Sequence, residues 1–128
     1  MIEEKEIEAV VDTLKSNWLS KGPKTIEFEK RFAEYVGAKH AIAMNSCTAA
    51  LHIALIANGI GEGDEVITTP LTFAASSNTI IHSGAVPVFV DIDEKTMCID
   101  PDKIEEKITS KTKAIVPVHY AGQSCDLE

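Results

Sequence analysis

Positive charge is what this sequence is shortest of. Its 128 residues carry 12 Lys+Arg against 20 Asp+Glu, a formal net charge of −8. Without a Lys/Arg cluster there is no footprint for phosphate neutralisation, the main source of non-specific nucleic-acid affinity. A basic membrane-binding surface is missing for the same reason. Cysteine is sparse as well: Cys47, Cys98 and Cys125 make an odd count with no CxxC pair. That argues against a disulfide framework or a zinc site and makes a reducing cytoplasm the natural compartment. His40, His52, His82 and His119 lack i,i+4 or Cys-paired ligand spacing, so no metal site is predicted. The longest weakly polar stretch, residues 49–57, contains His52 and falls far short of the ~20 residues a spanning helix needs. The opening Met1-Ile2-Glu3-Glu4-Lys5-Glu6 has no apolar core of a secretory signal. Neither GxGxxG nor GxxxxGK[ST] occurs, so the standard dinucleotide and triphosphate loops are absent.

What is present is an ordinary globular composition, 45% hydrophobic and 25% charged, which excludes global disorder. A chain of this length buries roughly two-thirds of its unfolded surface. Ile7, Val10, Val11 and Leu14 recur at helical spacing and predict an amphipathic helix over residues 3–16. Trp18-Leu19-Ser20-Lys21-Gly22-Pro23 then breaks the pattern as a loop. A second helix is predicted over residues 25–36, with Phe28, Phe32 and Tyr35 as its buried stripe and Gly37 just past its end.

After Gly37 the rhythm changes to alternation. Strands are predicted at 41–44, 65–69, 86–90 and 114–118, and helices at 49–57, 73–82 and 100–108, the last opened by Asp100-Pro101. This order implies an α/β fold with a largely parallel sheet flanked by helices. No repeat, low-complexity tract or linker marks a boundary, so residues 1–128 read as one partial domain. Only about eight residues follow the last strand, where a further crossover helix is expected to begin.

In open α/β sheets, ligands bind at the carboxyl ends of strands. Three junctions there carry candidate residues. Asn45-Ser46-Cys47-Thr48 offers free backbone N–H groups and hydroxyls at a helix start, where the dipole favours an anion such as phosphate. Equally, Ser46 can simply cap the helix. Phe73 follows a strand end, where an aromatic ring either faces a planar ligand or packs in the core. His119 is a proton-transfer or hydrogen-bonding candidate, or a satisfied structural histidine. Cys47 stands where thiolates are favoured, yet no partner His or Asn motif identifies it as a nucleophile. Asp91-Ile92-Asp93-Glu94 has the look of a metal cluster but reads as a solvated turn.

Six segments in order carry more than any one of them. They are Asn17-Trp18-Leu19-Ser20-Lys21-Gly22-Pro23, Phe28-Glu29-x-x-Phe32-Ala33, Asn45-Ser46-Cys47-Thr48-Ala49-Ala50-Leu51-His52, Gly63-Asp64-Glu65-Val66-Ile67, Thr72-Phe73, and Lys113-Ala114-Ile115-Val116-Pro117-Val118-His119-Tyr120-Ala121-Gly122. The series resembles the pyridoxal-phosphate-dependent sugar aminotransferases of the DegT/DnrJ/EryC1/StrS family, and among them most the enzymes that aminate UDP-linked 4-keto sugars. The resemblance runs from about Asn17 to the last residue.

That resemblance implies the amino-terminal part of the large domain of a fold-type-I PLP-dependent transferase, with pyridoxal 5'-phosphate as cofactor. It assigns the cofactor phosphate to Cys47 and Thr48 and ring stacking to Phe73. It puts Trp18, Ser20, Lys21 and Gly22 on the substrate side, and His119 near it. The implied substrates are a nucleotide-linked keto sugar and glutamate, and the implied assembly is a homodimer. The family's Schiff-base lysine and its pyridine-nitrogen aspartate match positions beyond Glu128, and its small carboxy-terminal domain is absent. Lys21, Lys39, Lys113 and Asp126 do not match those positions. No catalytic residue is therefore assigned in this chain, and the chain alone is expected to be inactive. Two other readings compete: a non-catalytic phosphate- or cofactor-binding oligomeric module, and a sugar dehydratase of the same fold in which histidine replaces the lysine.

Overall fold

The computed structural model describes residues 1–127, in two compact units, one of residues 1–45 and a second that begins at Ser46. The first unit holds α1 (Glu4–Lys15) and α2 (Pro23–Val36). At the start of α1 the Glu6 carboxylate accepts the Glu3 N–H at 2.7 Å, satisfying one of the donors a helix start leaves over. The chain leaves α1 through Asn17 at φ 57°, a left-handed conformation that asparagine tolerates. Pro23 opens α2, where its missing N–H costs nothing, and Gly37 closes it at φ 69°.

Residues 41–44 were predicted as a strand and are not one in the structure. A strand exists only through a ladder partner, and no described strand pairs with this segment. The Ala43 N–H is satisfied instead by the Glu29 carboxylate, at 2.9 Å.

The second unit contains α3 (Cys47–Ala57), β1 (Glu65–Thr68), α4 (Ala75–His82), β2 (Val86–Phe89) and β3 (Thr112–Val116). The three strands form a parallel sheet in the order β2-β1-β3. Val66 pairs with Pro87 on one side and Ala114 on the other. Because successive side chains alternate faces, the central strand serves two cores. Val66 joins Leu55, Ile60, Ile80 and Ala85 beneath α3 and α4, while Ile67 joins Val90, Cys98, Ile99 and Cys125 on the opposite face. The predicted helix over 100–108 is instead two single 3₁₀ turns, Pro101–Lys103 and Glu105–Lys107. Asp100 does cap the first, accepting the Asp102 N–H at 3.1 Å. The stretch has only Ile104 and Ile108 to bury, and Ile108 stays exposed, too little apolar face to hold a full helix against the sheet. No helix among the described residues is long and apolar enough to cross a membrane.

Candidate cofactor and substrate site

In the second unit, the short connection from α3 to β1 and from β1 to α4 puts the amino ends of both helices at the carboxyl edge of the sheet. This is the edge where open α/β sheets bind ligands. Ser46 is the cap of α3: its Oγ accepts the Ala49 N–H at 3.1 Å, and its carbonyl accepts the Ala50 N–H at the same distance. The capping reading of Ser46 therefore holds, and it leaves the next two donors open. Among the described residues the N–H groups of Cys47 and Thr48 and the Thr48 hydroxyl have no hydrogen-bond partner, and both residues are exposed. Capping and anion binding do not compete here, since they use different groups.

Phe73 lies in the turn between β1 and α4 and is 81% exposed. It is not a core residue in this structure, although an unsupported aromatic side chain is more often found in one. His119 is exposed, and its Nδ1 accepts the Cys125 N–H at 3.1 Å. That bond engages Nδ1, so one ring nitrogen is structural and only the other is left for a ligand. Cys125 donates its thiol to the Val118 carbonyl at 3.2 Å, and Cys98 donates to that of Gln123 at 3.4 Å. Burial, and then the neighbouring Cys98 thiol, push the Cys125 thiol up from its ordinary value, so Cys125 does not suit nucleophilic work. Asp93 shows the turn predicted for its segment. Its Oδ1 accepts the N–H groups of Thr96 and Lys95, both at 2.9 Å, and these bonds hold its carboxyl below the usual range. No group of three or more potential metal ligands occurs among the described residues.

The remaining predicted residues belong to the first unit. Trp18, Ser20 and Gly22 line a recess of about 310 Å³ together with Thr13 of α1 and Ser16, which follows that helix. A Cβ on Gly22 would stand 3.1 Å from the Trp18 ring, so any other residue here would require that half-exposed ring to shift by a few tenths of an ångström. Lys21 is not a free cation: its Nζ lies 2.9 Å from the Glu29 carboxylate, whose side chain is only 13% exposed. Glu29 stood in the Phe28-Glu29-x-x-Phe32-Ala33 segment of the sequence with no role assigned to it. The Ala43 N–H, and then Lys21, hold its carboxyl below the ordinary 4.5. Its one visible signal was a charged residue beside the Phe28 stripe of α2.

The second unit is thus an open parallel α/β fold with a helix start that has unpaired donors and an exposed aromatic residue after the central strand. The chain belongs to the DegT/DnrJ/EryC1/StrS aminotransferase family, whose model matches residues 1–128. It is 64% identical over all 128 residues to the spore coat polysaccharide biosynthesis protein SpsC of Bacillus subtilis, covering 33% of that protein. With the GDP-perosamine synthase of Caulobacter vibrioides it shares 51% identity over 124 residues, 96% of this chain and 33% of the relative. Among solved structures, Spr1654 from Streptococcus pneumoniae in its PLP form matches with a TM-score of 0.95 and 48% identity, over 98% of this chain and 32% of that one. The chain thus spans about a third of the length of the curated relatives it matches.

Proposed function

We propose that this chain supplies the phosphate-holding and ring-stacking part of a pyridoxal-phosphate-dependent aminotransferase that moves an amino group from glutamate to a nucleotide-linked keto sugar. The observation that carries the reading is the donor set at the start of α3. Two unpartnered N–H groups and the Thr48 hydroxyl, with the positive end of the helix dipole behind them, suit an anion such as a phosphate dianion. The exposed Phe73 ring at the same sheet edge suits a flat pyridine. The residues present therefore fit the cofactor.

When bound, pyridoxal phosphate supplies an electron sink for carbanion chemistry. In this reading Cys47 and Thr48 hold its phosphate and Phe73 covers one face of the ring, excluding water from that face. Trp18, Ser20, Lys21 and Gly22 contribute to the sugar-nucleotide side, with Lys21 oriented by Glu29. His119 can present only Nε2 to a ligand, because Nδ1 is engaged. The lysine and aspartate that complete such a site are assigned to no position in residues 1–128, and the working enzyme is read as a cytoplasmic homodimer.

The test is the intact mass of the chain before and after treatment with pyridoxal phosphate and borohydride. The 13.9 kDa chain is expected to acquire no site-specific reduced adduct and to show no transaminase turnover. Turnover by a verified preparation of these residues alone would overturn the assignment of the catalytic lysine elsewhere. Thr48→Val is expected to weaken binding of a pyridoxine-type phosphate by about tenfold, the loss of one charge-assisted hydrogen bond. An unchanged affinity would remove the phosphate site from α3.

A further inference from the structure

Two of the three cysteines meet in space although no CxxC spacing announces them. Cys98 and Cys125 belong to one buried cluster with Ile67, Val90 and Ile99 on one face of the sheet. They are 1% and 5% exposed. Their two segments interlock at the sulfurs. The Cys98 thiol reaches across to the Gln123 carbonyl, two residues before Cys125, at 3.4 Å. The Cys125 sulfur in turn adjoins the Cys98 thiol and the N–H of Ile99, the residue after Cys98. Each cysteine therefore contacts the other's own stretch of chain, and the two thiols are hydrogen-bonded neighbours.

The cover over this pair is thin. In residues 119–127 Cys125 alone is buried, and the residues on both sides of it are exposed. The stretch is lightly held. The Cys125 thiol donates to the Val118 carbonyl at 3.2 Å and its N–H to His119 Nδ1 at 3.1 Å, and the turn between them carries Ala121 at φ 50°. A thiol is a weak donor, and a residue with a side chain is strained in the left-handed region. Opening of so lightly held a segment admits a small solute to the sulfurs while the sheet stays folded.

We propose that Cys98 and Cys125 form a modification site, a dithiol that hydrogen peroxide closes into an intramolecular disulfide, stapling the stretch that carries His119 to the sheet face. Burial and the Cys98 thiol raise Cys125, so the first attack is assigned to Cys98. Its sulfur breaks the peroxide O–O bond and becomes a sulfenic acid, and its proton leaves with the displaced hydroxide as water. The Cys125 sulfur then attacks the sulfenic sulfur. The S–S bond forms, the S–O bond breaks, and the Cys125 proton leaves with that hydroxide as a second water. The two sulfurs together lose two electrons, and the peroxide gains them. Closure draws the sulfurs from hydrogen-bond contact to about 2.05 Å. The site is independent of the cofactor reading.

The experiment uses the 128-residue chain, reduced, freed of reductant and treated with hydrogen peroxide under native conditions. Remaining thiols are alkylated after denaturation, and the digest is mapped by mass spectrometry. Cys47→Ser, run in parallel, removes disulfides made through the exposed Cys47. The chain is expected to become lighter by two hydrogens and to yield a peptide linked through Cys98 and Cys125. It is expected to melt about 5 °C or more higher, with slower deuterium exchange at the Cys125 amide, and dithiothreitol is expected to reverse both changes. Cys98→Ala and Cys125→Ala are expected to show neither; should these buried truncations fail to fold, the linked peptide and its reversal in the unaltered chain decide. No linked peptide after peroxide treatment, sulfinic acid at either position in its place, or linkage of either cysteine to Cys47 instead would overturn the proposal. So would a link that forms only when peroxide meets the denatured chain, or one that leaves melting and exchange unchanged.

Discussion

The two units are built from similar apolar residues and end in opposite conditions. In residues 1–45, Val10, Leu14 and Phe32 are 60%, 55% and 48% exposed, although they lie on the apolar stripes of their helices. Only Ala33 is buried among the hydrophobic residues of that unit. In residues 46–128, Val66, Ile67 and Ile80 are wholly buried, and β1 feeds a cluster on each face of the sheet. Amphipathic spacing makes a helix with an apolar side; it does not make a core. A core needs a second apolar surface facing the first, and the β1–α4–β2 unit supplies it within a few residues of chain. What holds the first unit's loop in place is polar, namely the Glu29 carboxylate with Lys21 on one side and the Ala43 N–H on the other.

The contrast breaks most visibly under truncation. Ile80→Ala removes a fully buried side chain from beneath α3 and α4 and is expected to cost about 3 kcal/mol of stability by chemical denaturation. Phe32→Ala, on an exposed stripe, is expected to cost less than about 1 kcal/mol. Equal losses would mean that the first unit is packed as tightly as the second.

A smaller effect is expected at the junction between the units. Ser46→Ala removes the α3 cap and should cost about 1 kcal/mol, read from the same denaturation curves. It should leave the Cys47 and Thr48 donors in place, so phosphate-probe affinity should fall far less than in Thr48→Val. If the two variants weaken the probe equally, the cap and the anion site are one feature and not two.

The smallest effect sharpens the polar side of the comparison. Because the folded-state carboxyl of Glu29 lies below the ordinary 4.5, its stabilising bonds are complete above that value. They are lost only as pH falls through the lower folded value. The Ala43 amide resonance should therefore stay constant at neutral pH and move on acidification below 4.5. In Glu29→Gln that titration should vanish. A shift centred at or above the ordinary value would show that the Lys21–Glu29–Ala43 bonds do not persist in solution.

Much of this was legible before any coordinates. The short β-branched run Val66-Ile67-Thr68, the turn residues around it and the Ser46 cap are local signals, each with a local physical cause. Helix α3 could be read from its sequence, though its start at Cys47 rather than residue 49 follows from which residue the chain uses as cap. Residues 41–44 look like a strand locally, but a strand is a relation between segments, and apolar composition cannot supply the partner. Residues 100–108 carry a good helix start, yet a start without enough apolar face to anchor it yields two single turns.

The candidate site divides along the same line. The residue types at Cys47, Thr48 and Phe73 and their places after strand or before helix were readable, because helix starts and strand ends are properties of short segments. The engagement of Lys21 by Glu29, the use of His119 Nδ1 by Cys125, and the exposure of Phe73 were not. Hydrogen bonding and burial depend on what the chain brings alongside a residue, often far along the sequence. The sequence by itself determined an acidic α/β chain, its helices and strands other than those expected at 41–44 and 100–108, and the family pattern, since these rest on periodicity and local chemistry. Only the tertiary structure decided which polar groups are already spent and which remain open to a ligand, because a donor is satisfied or orphaned by its neighbours in space.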